Sequence, residues 1–287
     1  MSAVEGLVKG IRADSAPPRD APPIGTILAA AVVALVLFAS FFPSLLTPFE
    51  PDRADLAAVF QPPSWEHWFG TDQLGRDVFT RVVYGSGVSL LIGIGATAIA
   101  LVFGILLGVL AVYTPFGLHR VFERLVDLLL AFPEILLALI VIAVLGKGPT
   151  NTLLAVGLAG IAAYARLIRS QLLQARLSGY AEHARIIGEP PLRILLRHVI
   201  PNTIRPLVIL GTIGIANSIL AASSLSFLGL GVEPPAAEWG ALLAEGRSNL
   251  QVAPWASILP ATVVAGSVIS LMVLGRYLQR RFANQEQ

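Results

Sequence analysis

The side chains able to do chemistry are few in this chain, and their spacing scatters them. There are four histidines, His67, His119, His183 and His198, and no cysteine. Disulfides and thiolate metal sites are therefore excluded. None of the histidines has a helical partner plausible for a ligand cluster except His183, whose neighbour Glu182 diverges from it on a helix. A Tyr84-Gly85-Ser86-Gly87 run offers a serine, but a nucleophilic serine needs a histidine base within hydrogen-bond reach. All four histidines fall outside the strongly apolar stretches. No Gly-x-x-x-x-Gly-Lys-Ser/Thr loop is present, and Lys147 is followed by Gly148 and Pro149, so the chain is not expected to hold ATP. Gly93-Ile94-Gly95 begins like a dinucleotide fingerprint but lies in an apolar stretch, where Gly104 and Gly108 also make a small-residue face for helix packing.

Two carboxylates stand apart, because Asp127 and Glu134 fall inside the apolar stretch 121–145. Ionisable groups at membrane depth are costly and face a cavity or a partner. Asp127 reads as a structural hydrogen-bonding group or half of an arginine pair. Glu134 follows Pro133 and has two readings. It either lines a translocation path, attracting a peptide amino terminus or another cation, or it is a buried structural or interface carboxylate. Arg166 and Arg169, one helical turn apart, read as headgroup anchors.

A different kind of signal lies at 180–202, YAEHARIIGEPPLRILLRHVIPN, a polar insert between two apolar segments. Ser178 is placed to cap a short helix running from Tyr180 to about Ile187. Gly188 is placed to end that helix in a left-handed backbone, and Pro190 and Pro191 prevent its continuation. The expectation is a short helix lying crosswise on a membrane surface.

The elements that must position these residues are membrane spans. Mean hydropathy is +0.75, 55% of residues are hydrophobic and 13% are charged, whereas soluble domains carry about 25% charged residues. Six stretches, near 24–42, 87–113, 121–145, 152–173, 204–225 and 255–274, are long enough to cross a hydrocarbon core of about 30 Å. The chain reads as all-α and polytopic. Residues 1–23 form a proline-broken tail, 24–42 a retained anchor span, and 43–85 an external segment with an amphipathic helix. A five-span core follows at 86–275, containing the polar loop at 176–203, and 276–287 form a second tail. In the external helix Thr71 or Asp72 would be the cap, and Leu74, Val78, Val82 and Val83 the apolar face. With both termini cytoplasmic, most arginines, including those of the 176–203 loop, fall on the inner side, as the positive-inside rule requires.

Three motifs give a resemblance. Glu182, His183, Ala184, Gly188, Ile200 and Pro201 follow the spacing of the Glu-Ala-Ala loop of permease subunits of ATP-binding-cassette (ABC) importers, with His183 in place of a small residue. The strings GTDQLGRDVFTRVVYG at 70–85 and SFLGLGVEPPAAEWG at 226–240 resemble the dipeptide, oligopeptide and nickel branch, specifically its second permease subunit. The likeness covers about 65–274, with Arg276 where that branch often has an acid.

This resemblance implies a transmembrane domain like that of a type I ABC importer, in a bacterial cytoplasmic membrane. Its implied partners are a second homologous permease, two ABC ATPases, an external substrate-binding protein and the lipid bilayer, with no nucleic acid. No cofactor belongs to this chain; ATP and Mg belong to the partner ATPases. Tyr180, Glu182, His183, Ala184, Arg185, Gly188, His198, Pro201 and Asn202 would couple to an ATPase. Asp127 and Glu134 would belong to the path, and Asp72, Arg76, Asp77, Glu233 and Trp239 would meet the binding protein. Peptides lead as substrate, with nickel and haem as alternatives. An ion-coupled secondary transporter would rest on Asp127 and Glu134 alone and lacks an internal repeat. A membrane enzyme would need a convergent catalytic set.

Overall fold

The computed structural model describes residues 22–115 and 117–283. Among them the helices are α1 (Ile24–Phe41), the short α2 (Pro43–Leu46), α3 (Val78–Tyr113), α4 (His119–Leu130), α5 (Glu134–Leu145) and α6 (Pro149–Arg176). After these come α7 (Gly179–Ile186), the short α8 (Pro191–Ile194), α9 (Ile200–Phe227), α10 (Trp239–Arg247) and α11 (Trp255–Ala283). No strand is present among the described residues; Thr71 and Asp77 form an isolated bridge.

Five helices are long and apolar enough to cross a membrane: α1, α3, α6, the Leu210–Phe227 part of α9, and α11 up to Arg281. A sixth span would be α4 and α5 together, but they meet at 93°. The stretch 121–145 is therefore not the single straight span expected from its hydropathy. Pro133 lacks an N–H and disfavours helical backbone at Phe132, so the chain turns there. The sequence of α4 agrees with the break. His119, Arg120, Glu123, Arg124 and Asp127 crowd one helix into 12 residues, whereas α5 after Glu134 is wholly apolar.

The outer segment also differs from expectation. Thr71 and Asp72 do not begin a helix: Gly75 adopts φ +70°, outside helical backbone, and the Asp72 carboxylate closes a turn by accepting from Leu74 N and Arg76 N. The helix starts at Val78, capped by Asp77, whose carboxylate accepts from Thr80 N at 2.7 Å. It then runs unbroken for 36 residues, through the 85/86 boundary expected from sequence.

Helix α3 packs along α6 at glycine contacts. A Cβ on Gly104 would lie 2.6 Å from Tyr164 Cβ, and one on Gly108 would lie 2.9 Å from Ile168 Cγ2. Gly157 of α6 answers with the same closeness to Ile99. Small residues let the backbones approach where lipid supplies no hydrophobic drive between helices. Buried apolar side chains form three clusters. One joins α3, α9, α10 and α11 around Trp239. A second joins α3, α5, α6 and α9 around Ile92 and Val156. The third lies around Ile168 and Leu172 of α6 and holds Ala184, Ile194 and Leu195 of the polar insert.

Candidate functional site

The polar insert is a compact arm tied to the end of α6. Ser178 Oγ donates to the Ala175 carbonyl at 2.6 Å, within the last turn of α6. Helix α7 ends in a Schellman arrangement: Glu189 N donates to the Ala184 carbonyl at 3.0 Å, and Gly188 between them has φ +85°. No atom lies within 4 Å of a Cβ placed on Gly188, so the sign of φ alone favours glycine. The chain re-enters helix at once, since Arg193 N and Ile194 N both donate to the Pro190 carbonyl. Ala184 is buried against the α6 cluster, which fixes the arm to the span.

The opposite side of the arm is open. His183, Ile186, Ile187 and Gly188 are exposed, Ile186 and Ile187 by 76% and 77%. Sequence reasoning assigned no role to these two isoleucines; their signal was a pair of β-branched apolar residues directly before the terminating glycine. The side chains of Tyr180, Glu182, Arg185, His198, Pro201 and Asn202 lie outside the described residues.

At the other end of α3 the sequence motifs converge. Asp72 Oδ2 accepts from Arg76 Nε at 2.7 Å and from Arg81 Nη1 at 3.1 Å. Glu245 Oε2 accepts from Arg76 Nη2 at 2.7 Å and from Arg81 Nη1 at 3.0 Å. Arg81 also donates to the Pro235 carbonyl at 3.1 Å and is fully buried. Two cations and two carboxylates thus form a neutral set, the condition under which buried charge is tolerated. Asp77 caps α3 and meets His67 Nδ1 at 2.9 Å. Glu238 caps α10 through Gly240 N and Ala241 N, both at 2.9 Å, and accepts from Ser89 Oγ at 3.2 Å. Trp239 Nε1 donates to the Val82 carbonyl at 3.0 Å.

This corrects the expectation of an outward-facing contact set. Asp72, Arg76, Asp77 and Trp239 are all under 10% exposed and are spent on internal bonds. Only Glu233 of the five is exposed, beside Lys147 at 3.2 Å. Arg81, Glu238 and Glu245 were not singled out in the sequence. Their partners lie up to 169 positions away, a distance at which spacing carries no signal.

Glu134 opens α5 and faces two clefts between α5, α6 and α9. One, of about 280 Å³, is lined by Glu134, Asn217 and Ser224 among apolar walls. The other, of about 220 Å³, is lined by Glu134, Tyr164, Asn217 and Ser218. Asp127 lines neither; it is exposed on α4, across the bend. The two carboxylates paired in sequence reasoning are therefore separated. Arg169 pairs with Glu123 of α4 at 2.6 Å and braces that helix against α6, whereas Arg166 is exposed.

Comparison with known proteins agrees with this architecture. Residues 100–284 match the family described as binding-protein-dependent transport system inner membrane component. The chain is 39% identical over 250 residues to the dipeptide transport system permease protein DppC of Alkalihalophilus pseudofirmus, covering 85% of this chain and 81% of that one. It is 42% identical over 248 residues to the glutathione transport system permease protein GsiD of Escherichia coli O157:H7, covering 86% and 82%. In fold it is similar to a chain of the MetNI methionine ABC transporter in an inward-facing conformation, with TM-score 0.57 at 17% identity, over 70% of this chain and 95% of that one.

Proposed function

The chain belongs to the binding-protein-dependent transport system inner membrane components, and from that premise we propose that it passes short peptides across the membrane and takes its motion from an ATPase through the α7 arm. It is a non-catalytic permease subunit of an ABC importer. Its relatives are named for dipeptide and glutathione transport, which supports a peptide-sized substrate here. A second permease, two ATPases carrying ATP and Mg, and an external binding protein complete the proposed complex. Both termini lie in the cytoplasm in this reading, which the arginine distribution supports.

The observation that carries the coupling role is the arm's construction. Its buried side holds Ala184 against α6, its end is fixed by Gly188, and its open side presents Ile186 and Ile187. Apolar side chains exposed on a braced helix suit a groove on a partner. Force applied there reaches α6 directly, and reaches α3 through the glycine contacts at Gly104 and Gly108. ATP-driven closure of the ATPases would move the arm, rock the spans and expose the path outward. Hydrolysis would return the inward-facing state.

The test is purification of the chain from its native membrane in mild detergent. Co-purifying ATPases and a second permease, with ATP turnover raised by an external binding protein loaded with dipeptide, is the expected result. A chain that purifies alone and moves solute without ATP would overturn the reading.

A further inference from the structure

The bilayer-crossing helices hold little charge away from their ends. Glu134 is the only carboxylate in α1, α3, α5, α6, the Leu210–Phe227 part of α9 or α11. It lies 11 residues from the Leu145 end of α5, about 17 Å of helix rise against a hydrocarbon core of about 30 Å. An ionised group within an apolar membrane helix calls for a partner. Among the described residues, none donates a hydrogen bond to the Glu134 carboxylate and no cation pairs with it. Its Oε1 is 3.5 Å from the place a Cβ would take on Gly160, so the α6 wall opposite is bare backbone.

The surroundings have the form of a binding site. Asn217 lines both clefts beside Glu134 and is exposed to them. Ser218 and Ser224 stand one and seven positions further along α9, each on one of the clefts. The remaining walls are largely apolar, including Ile135, Val156 and Leu220. One negative charge, neutral hydrogen-bonding groups around it and apolar walls together suit a small organic cation with an uncharged body. They do not suit an anion, or a metal ion that needs several hard ligands.

We infer that Glu134, with Asn217 and Ser224, forms a station that holds the ammonium end of the substrate as it passes between α5, α6 and α9. The inference rests on the reading of the chain as a peptide permease. Glu134 supplies the counter-charge, Asn217 offers its amide carbonyl to the ammonium protons, and Ser224 extends the polar row along α9. The walls take the rest of the molecule without selecting its side chains. Transient pairing there lowers the barrier to a charged terminus while leaving it free to depart.

The absence of native cysteine makes a direct test available. Ser224→Cys in the full chain, assembled in its complex in membranes, is treated with a cationic trimethylammonium-ethyl or an anionic sulfonato-ethyl methanethiosulfonate. The ratio of the two modification rates is compared with that in Ser224→Cys/Glu134→Gln. The expected ratio favours the cation and falls about tenfold in the glutamine variant, with Glu134→Asp retaining most of it. Alanyl-alanine should slow modification, and its N-acetyl form should not. A ratio unchanged by Glu134→Gln, equal protection by both peptides, protection by neither, or no modification by either reagent would overturn the station. A charge preference intact in a complex that imports no peptide would instead sink the peptide reading.

Discussion

Arg81 is the member of the outer charge set whose removal has the most calculable effect. It contacts Asp72, Glu245 and the Pro235 carbonyl and is fully buried. The set contains Arg76, Arg81, Asp72 and Glu245, with formal charges summing to zero. Arg81→Met keeps the apolar stem but leaves one net negative charge in a buried place. Breaking a buried pair from one side costs about 3–5 kcal/mol. At the roughly 2 °C per kcal/mol appropriate to a large domain, the melting temperature of the detergent-solubilised chain should fall by about 6–10 °C. Glu245→Gln alone leaves one net positive charge and should fall comparably. The double variant leaves Arg76 facing Asp72, neutral again, so its loss should be well below the sum of the two and close to one of them. Thermal melts followed by intrinsic tryptophan fluorescence, with Trp239 beside the set, would measure all three. Additive losses, or an Arg81→Met chain as stable as the parent, would refute the charge accounting.

Four other outcomes follow from the packing. Gly188→Asp places a Cβ where φ is +85° and costs about 1–2 kcal/mol of arm order; membrane insertion should be normal while uptake per ATP hydrolysed falls, and unchanged uptake would remove the arm from coupling. Gly104→Val pushes into Tyr164 and the Ala165 backbone nitrogen and should cost about 1–3 kcal/mol in a melt. Gly266→Ala meets no atom within 4 Å and should be neutral or slightly stabilising. Glu238→Ala strips the α10 cap, leaves Gly240 N and Ala241 N without its carboxylate, and should lower stability by about 1–2 kcal/mol. That last loss would show as earlier proteolysis of the 228–250 segment.

What the sequence made legible is what depends on local composition. Hydropathy located the apolar helices because each is long and nearly free of charge. The left-handed turn at Gly188 was readable because a glycine before two prolines has few other uses. The bend at Phe132–Pro133 escaped a hydropathy window, which averages the polar α4 with the apolar α5, although Pro133 and the charges from His119 to Asp127 both marked it. The outer helix start was misplaced because Thr71 and Asp72 are good capping residues. The chain there is instead held in a turn, with Asp55 N bonded to the Leu74 carbonyl and Gly75 at φ +70°, and that is a tertiary fact. The same limit hid Arg81 and Glu245: as isolated charges in an outer segment they resemble surface residues, and only the fold brings them together.

Helix α3 joins two regions that have been treated separately. Its 36 residues give an axis of about 54 Å, with the charge set at one end and, at the other, Leu101, Ile105 and Val109 packed on the cluster that holds the arm. A tilt of roughly 5° about one end of such a rod displaces the other by about 5 Å. The hydrogen bonds of the charge set reach only about 3 Å. Small rotations at the arm end therefore cannot be absorbed gradually at the far end: the rod either pivots about an intact charge set or breaks it. An intact set therefore makes that end of α3 the pivot and the arm end the one that travels.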